Sequence, residues 1–190
     1  MVVFVSKGEK PLIVIAGMLG AGCTHVATIL SEKLGIDYVN TERILREIVV
    51  DRRISYAELS KMASSGEIEL EKIMRNILLD YVNERNIIIE GRSALLVLDK
   101  PADLKVFLWA PFEYRAKVVA ERRGITLDEA KEAVRYSDEE RENLVRRLYE
   151  RDWLDADLYD LVINSSRWSY KEIADMIMNA YKLRGNRNKQ

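Results

Sequence analysis

Cysteine, long apolar runs and an excess of either charge are scarce or missing in this sequence of 190 residues. The lone cysteine, Cys23, excludes a disulfide bond within the chain and is typical of a reducing compartment, so we expect a cytoplasmic protein. No segment approaches the roughly 18 consecutive apolar residues of a membrane-spanning helix, and the apolar run near the N-terminus is too short for a signal peptide. The formal net charge of −1 provides no basic excess for nucleic acid or an anionic membrane, and we expect neither partner.

Short apolar segments alternate with segments of helical periodicity along the chain. The predicted strands are Leu12–Ala16, Ile36–Val39, Ile87–Ile89, Leu104–Trp109 and Leu161–Ile163. The predicted helices span about 24–34, 41–50, 55–64, 67–84, 112–123, 126–150 and 169–183. Continuous apolar strands between helices are typical of a parallel sheet covered on both faces. We expect an α/β fold in one domain over residues 1–183, followed by a flexible polar tail over 184–190.

The most informative segment is Leu12–His25, where an apolar strand leads through a glycine-rich turn into a helix. Gly17, Gly22 and Thr24 fit the spacing G-x-x-x-x-G-x-[ST] of a phosphate-binding loop. Backbone N–H groups of such a loop point inward, and the positive end of the following helix adds to their attraction for an anion. The segment therefore predicts a phosphate-binding site.

The lysine expected in such a loop is missing, because Cys23 occupies its position. That lysine reaches the β- and γ-phosphates and offsets the charge that develops during phosphoryl transfer. Three interpretations remain open: arginines from elsewhere replace the charge, the site binds nucleotide without catalysis, or the glycines only form a tight turn. The place of Cys23 at a helix N-terminus also suggests a regulatory thiol with a lowered pKa.

A second polar cluster follows the predicted strand Ile87–Ile89. Glu90 and Arg92 come just past its carboxyl end, at the edge where open α/β sheets bind ligands. Arg92 could grip a phosphate with its planar guanidinium, while Glu90 could hold a magnesium-bound water or order Arg92. The alternative interpretation is a surface ion pair.

A third segment, between Phe107 and Trp168, is an arginine-rich helical hairpin. Arg122 lies near the end of its first helix and Arg141 within its second, which opens on a capping box of Thr126 and Glu129. Such a hairpin is either a solvated face or a closing lid that brings arginines onto the transferred phosphoryl group and excludes water. The missing loop lysine favours the lid.

Together these segments resemble the nucleoside monophosphate kinases of the P-loop class, and among them the archaeal-type cytidylate kinases and the cytidylate kinase-like family. The similar parts are the run that begins GMLGAGCTH, the EGR of Glu90–Arg92, the segment APFEYRAKVVAERRGIT and the segment YDLVINSSRWS. The resemblance covers about residues 12–180. It implies a five-stranded parallel sheet with helices on both faces, an acceptor-binding helical region over about 40–85 and a helical lid over about 122–150.

The resemblance also implies an activity and a set of site residues. The activity is ATP-dependent phosphoryl transfer to a nucleoside monophosphate, with CMP or dCMP as the acceptor and Mg²⁺ as the cofactor. The expected donor-binding residues are Gly17, Gly20, Ala21, Gly22, Cys23, Thr24 and His25, with the Thr24 hydroxyl on Mg²⁺. The expected acceptor-binding residues are Arg46, Glu90 and Arg92, and the expected catalytic residues are Arg122 and Arg141. Asn164–Arg167 would contact the donor base.

Small nucleotides are the partners that this resemblance implies, for a monomer or a homodimer. Two alternatives remain open at the level of the sequence. One is a kinase for a small molecule that is not a nucleotide, and the other is a nucleotide-binding protein without turnover.

Overall fold

The structure is a computed structural model that describes residues 10–187. Within that range the strands are β1 (Leu12–Gly17), β2 (Asp37–Val39), β3 (Ile87–Glu90), β4 (Leu104–Trp109) and β5 (Leu161–Asn164). The α-helices are α1 (Cys23–Leu34), α2 (Thr41–Arg52), α3 (Tyr56–Ser64), α4 (Leu70–Glu84), α5 (Phe112–Arg123), α6 (Leu127–Tyr149) and α7 (Tyr170–Arg187). Short 3₁₀ turns cover Ser93–Val97, Ala156–Leu158 and Ser165–Arg167.

The strands form one parallel sheet in the order β2-β3-β1-β4-β5. At its centre, Leu12 of β1 lies opposite Ile87 of β3, and Ile13 lies opposite Leu104 of β4. The chain places β2 and β3 on one side of β1 and then crosses to place β4 and β5 on the other. This reversal opens a crevice beyond the carboxyl end of β1, where open α/β sheets bind their ligands.

Successive residues of the central strand face two different cores. Val14 points to a core built with α2, α3, α4 and α6, whereas Ile15 points to a core built with α1 and α7. Such alternation follows from the two-residue period of a strand, and full burial on both faces explains why β1 is apolar throughout. The predicted parallel sheet with helices on both faces is therefore confirmed.

Local capping signals set several helix ends. Asn40 caps α2, since its side chain accepts a hydrogen bond from the Arg43 amide at 3.0 Å. Thr126 and Glu129 form the predicted capping box at the start of α6. A cap satisfies backbone donors that the first turn leaves without an intrahelical partner, so these sequence signals predict the helix starts well.

Two predicted helix boundaries differ from the structure. The fourth helix begins at Leu70 rather than near residue 67, because Gly66 adopts a positive φ of 75° and the chain turns there before the helix starts. The last helix continues to Arg187, past the predicted end at 183, and it includes Gly185 and Asn186, whose low helix propensity gives no local signal for this extension. Residues 188–190 of the predicted tail lie outside the described part of the chain.

Across the described residues, every helix is too short or too polar to cross a membrane.

Candidate active site at the carboxyl edge of the sheet

A cleft of about 390 Å³ lies at the carboxyl edge of β1. Its lining residues are Gly17, Met18, Leu19, Gly20, Gly22, Cys23, Thr24, His25, Glu90, Gly91, Arg122 and Arg141. Three segments that the sequence keeps far apart therefore meet here: the glycine-rich loop, the end of β3 and the hairpin of α5 and α6. The predicted site residues Ala21, Arg46 and Arg92 are not part of this lining.

Two glycines give the loop its shape. Gly20 and Gly22 have φ values of 86° and 89°, in the left-handed region where a side chain is strained. A Cβ atom on Gly22 would lie 2.3 Å from Cε1 of Tyr170, and one on Gly20 would lie 2.8 Å from the carbonyl oxygen of Arg115. The loop is thus pressed against α5 and α7 so closely that only glycine fits at either position.

The start of α1 supplies hydrogen-bond donors to the cleft. Gly22 is the N-cap residue of this helix, and in the described structure no side chain caps it. The first-turn N–H groups of a helix have no intrahelical acceptor, and the helix dipole makes this end partly positive. Free donors at a positive helix end fit a phosphate group, as the loop motif predicts.

The amide of Ala21 is already used inside the loop. It donates to the carbonyl oxygen of Met18 at 3.0 Å, and its side chain is buried. Ala21 therefore shapes the turn from behind instead of facing the cleft.

Cys23 contributes no positive charge at the position of the missing lysine. Its thiol is largely buried, and burial raises the pKa of this thiol to about 12, with the nearby Glu90 carboxylate adding to the effect. The hypothesis of a lowered pKa at a helix N-terminus is therefore wrong, because desolvation of the thiolate outweighs the helix dipole. The thiol stays protonated and neutral at physiological pH.

Arg141 reaches the cleft from the middle of α6. It donates to the Ser137 carbonyl oxygen at 3.1 Å and also to the Ser137 hydroxyl, both one turn earlier. Its Nε is buried and has no hydrogen-bond partner in the described structure. Burial lowers the pKa of this guanidinium, yet an arginine stays charged in proteins. An unpaired donor on a buried cation fits a ligand anion at this point.

Arg122 reaches the same cleft from the last turn of α5, where its side chain is exposed. The two predicted catalytic arginines thus come from different helices and line one cleft with the glycine-rich loop. Both arginines bring positive charge to the cleft, which a loop lysine would otherwise supply.

Glu90 is the acidic centre of the cleft. Only 2% of this residue is exposed, and its Oε1 accepts from the Thr24 hydroxyl at 2.9 Å and from Nδ2 of Asn40 at 3.1 Å. Burial raises the pKa of the carboxyl, while the two hydrogen bonds and the charges of Arg141 and Arg122 act in the opposite direction. The carboxylate therefore holds Thr24, whereas Arg92 pairs with Glu140 at 3.2 Å. The hypothesis that Glu90 orders Arg92 is wrong.

The Thr24 and Glu90 pair has the chemistry of a magnesium site. Because the Thr24 hydroxyl donates its hydrogen bond to Glu90, the lone pairs of its oxygen are available to a cation. Mg²⁺ prefers oxygen ligands and is commonly held by one or two protein groups, several waters and substrate phosphates. A magnesium site of this kind does not require a cluster of three or more His, Cys, Asp or Glu residues. Within residues 10–187 there is no such cluster that could hold a metal.

Arg46 and Arg92 do not line the cleft. Arg46 is exposed on α2 and pairs with Glu42, one turn away, at 3.2 Å. Arg92 follows β3 and is about half exposed beside its partner Glu140. Both arginines therefore pair with partners that are themselves partly exposed.

Asn164–Arg167, the segment expected at the donor base, follows β5 at the same edge of the sheet. Asn164 Oδ1 accepts from the Ser166 amide at 3.1 Å, and the Ser165 hydroxyl donates to the Trp109 carbonyl oxygen at 3.2 Å. The segment is thus held next to the end of β4, although it does not line the cleft itself.

Arg115 is a site-supporting residue that the sequence does not distinguish from its neighbouring arginines. It is 4% exposed and makes two hydrogen bonds, of 2.9 and 2.8 Å, to the carboxylate of Asp138 on α6. Its Nε donates to the Ala110 carbonyl oxygen at 2.9 Å. Because Gly20 packs against its backbone, Arg115 joins the glycine-rich loop to α6, the helix that carries Arg141.

Tyr170 is a second residue that sequence reasoning missed. Its ring stacks on the imidazole of His25, with 4.8 Å between the ring centroids and 16° between the planes. The same ring closes the space above Gly22. Tyr170 follows β5 by six residues and gives no local signal, since its role depends on how α7 packs on α1.

Comparison with known proteins identifies relatives over nearly the whole chain. Residues 12–167 match the family model described as the cytidylate kinase-like family. Cytidylate kinase from Pyrococcus horikoshii is 36% identical over 164 residues, which cover 85% of this chain and 83% of that protein. Cytidylate kinase from Methanobrevibacter smithii is 32% identical over 173 residues, with coverage of 90% and 99%.

Solved structures show the same fold. Shikimate kinase from Acinetobacter baumannii has a TM-score of 0.60 to this chain at 16% sequence identity, over 90% of this chain and 92% of that one. At this level of sequence identity, the similarity concerns the fold and not the substrate. Together with the parallel sheet and the glycine-rich loop after β1, the likeness establishes the P-loop NTPase fold.

Proposed function

The chain belongs to the cytidylate kinase-like family, and we propose that it transfers the γ-phosphoryl group of ATP to a nucleoside monophosphate, with CMP or dCMP as the acceptor. One observation carries the proposal. Arg122 and Arg141, from two helices, line the same cleft as the free amides of the glycine-rich loop. The cleft thus holds two positive charges although the loop lacks a lysine.

The donor phosphates would lie in the loop, on the N–H groups that begin α1. Arg141 would use its unpaired Nε on the transferred group, and Arg122 would approach from the open side. Phosphoryl transfer needs little covalent help from a protein, so positioning and charge stabilisation provide most of the catalysis. In this proposal arginines take over the charge that a loop lysine supplies elsewhere.

Thr24 and Glu90 would hold Mg²⁺ with the donor phosphates. When bound, the metal would supply positive charge that offsets the charge of the donor phosphates. Within the protein, the hydrogen bond of 2.9 Å from Thr24 to Glu90 fixes the direction in which the hydroxyl oxygen faces the cleft. Glu90 therefore acts by orienting Thr24 and by supplying negative charge near the cation.

The acceptor would enter from the side of α2 and the end of β3, within the region of residues 40–85. Arg46 and Arg92 would bind its phosphate, since each is exposed enough to exchange its present carboxylate partner for a ligand. The predicted lid, which covers about residues 122–150 from the end of α5 through α6, would close and exclude water from the transfer step. The lone buried cysteine fits a cytoplasmic enzyme.

The decisive experiment is an ADP-release assay with MgATP and a panel of acceptors: CMP, dCMP, UMP, AMP and shikimate. Chromatography must identify the phosphorylated product. We expect CMP or dCMP to give the highest kcat/KM. If shikimate is phosphorylated and no nucleotide is, the result would support the alternative that the protein is a kinase for a small molecule other than a nucleotide. ATP binding without turnover of any acceptor would support a non-catalytic protein.

A further inference from the structure

Asn40 makes two hydrogen bonds that point in different directions. Its Oδ1 accepts from the Arg43 amide at 3.0 Å and so caps α2. Its Nδ2 donates to Oε1 of Glu90 at 3.1 Å. A side chain that only caps a helix needs an acceptor oxygen, and serine, threonine or aspartate would serve equally well. The amide group supplies both an acceptor and a donor, and the donor reaches Glu90, which lines the cleft.

The same carboxylate oxygen of Glu90 receives the Thr24 hydroxyl at 2.9 Å. A continuous polar chain therefore runs from the start of α2 through Glu90 to the start of α1. One end lies in the proposed acceptor region, and the other end is the residue whose hydroxyl faces the donor phosphates. Glu90 is nearly fully buried, and the donors Thr24 and Asn40 hold its carboxylate in place.

We propose that Asn40 is a positioning residue, which holds the Glu90 carboxylate against Thr24 and thereby couples the placement of α2 to the metal and donor site. This inference rests on the proposed function, which assigns both the metal and donor site and the acceptor side. Residues that orient the ligands of a metal through hydrogen bonds commonly change metal affinity or activity by about 10- to 100-fold when they are replaced. We expect an effect of that size for Asn40.

The structure provides variants that separate this role from helix capping. Asn40→Ser keeps a good capping oxygen, but its hydroxyl ends one covalent bond short of the position of Nδ2. Asn40→Asp keeps the cap and the shape of the side chain, while an oxygen replaces the donor beside Glu90. A separate hydrogen bond of 2.9 Å between the hydroxyls of Thr41 and Ser93 should keep the start of α2 in place in both variants. Ser55→Ala removes the cap of α3, which has no hydrogen bond to Glu90, and is the matched control.

The test measures how much Mg²⁺ tightens ADP binding, as the ratio of the Kd without metal to the Kd with metal, by calorimetry. Thermal unfolding is recorded for each variant. We expect Asn40→Ser to lower the ratio about tenfold or more with only a small change in Tm. Asn40→Asp should lower both the ratio and Tm, because its carboxylate repels that of Glu90. Ser55→Ala should lower Tm and leave the ratio at the wild-type value. In turnover, both Asn40 variants should lower kcat more than they raise the KM of the acceptor.

A wild-type ratio in both Asn40 variants would overturn the proposal. So would a ratio that falls in Ser55→Ala as much as in Asn40→Ser, because the effect would then follow helix stability alone. The binding measurement uses no acceptor. A wild type that binds Mg·ADP but phosphorylates nothing would therefore refute the proposed activity, and the role of Asn40 would still be decided by the ratio.

Discussion

In the glycine-rich loop, Sγ of Cys23 lies 2.7 Å from the point that a Cβ atom on Gly17 would occupy. The thiol is therefore turned back toward the end of β1, and Gly17 has to be glycine to admit it. At the position where related loops carry a lysine, this chain has a small neutral group packed against its own strand. The positive charge of the site has to come from elsewhere, and Arg122 and Arg141 are the arginines that line the cleft.

The Cys23 thiol should be inert in the folded protein. Burial raises its pKa from an ordinary value of 9.0 to about 12, so near pH 8 the thiolate is about a thousandfold scarcer than for a free cysteine. We expect iodoacetamide to label the native protein far more slowly than the protein in urea. The labelling rate should still be rising with pH at pH 10, because the thiol is still protonated there. Rapid labelling of the native protein at pH 7 would contradict this.

Restoring the lysine should not destroy donor binding. In Cys23→Lys the loop amides remain, and an ammonium group suits the phosphates, so ATP affinity should hold or improve. We expect kcat to fall, because the new cation competes with Arg141 for the same anion. Calorimetry with ATP and steady-state assays measure the two effects, and Cys23→Ala controls for loss of the thiol. A folded Cys23→Lys protein that no longer binds ATP would show that this position requires a small neutral side chain.

The cleft arginines should matter mainly in the transition state. Arg122→Ala and Arg141→Ala should lower kcat and kcat/KM together, by roughly 10²–10³, with little change in ATP binding. Arg146 also lies on α6 but is exposed and pairs with Glu142, so Arg146→Ala is the matched control. If all three variants keep near wild-type turnover, the hairpin of α5 and α6 is only a solvated surface.

Arg92 should act on the acceptor. Because it is about half exposed and its pair with Glu140 is loose, Arg92→Ala should change stability little. Loss of a hydrogen bond to a charged phosphate should raise the KM of the acceptor by about 10- to 100-fold, while ATP affinity stays near that of the wild type. Arg184→Ala, which removes another exposed arginine with a carboxylate partner, serves for comparison. An unchanged acceptor KM would reject the assignment.

The pair of Arg115 and Asp138 should dominate the stability of the hairpin. Asp138→Ala leaves a guanidinium that is 4% exposed without its carboxylate, which should destabilise the protein by about 2–4 kcal/mol. Arg115→Lys should also be destabilising, because a lysine cannot make both hydrogen bonds. Urea denaturation measures the free energies of unfolding. An Asp138→Ala protein as stable as the wild type would mean that water replaces the carboxylate.

The local signals of the sequence determined most of the fold. The apolar strands, the glycine-rich turn after β1 and the capping box at Thr126 depend on near neighbours in the chain, and each is where the sequence predicts it. The larger boundary shifts are at the fourth helix, whose start is delayed by the turn at Gly66, and at the last helix, which extends to Arg187. The family resemblance follows from these same local segments in their order.

The partners of the site residues were decided by the tertiary structure. Glu90 and Arg92 are two residues apart, yet Glu90 faces Thr24 and Asn40 while Arg92 turns to Glu140. The helix dipole at Cys23 is a local effect that the sequence predicts, but burial beneath the loop outweighs it. Such outcomes depend on strand order and on how helices pack, which bring together residues that are tens of positions apart. No periodicity or spacing in the sequence encodes those distances, so the sequence alone left the partners of these residues open.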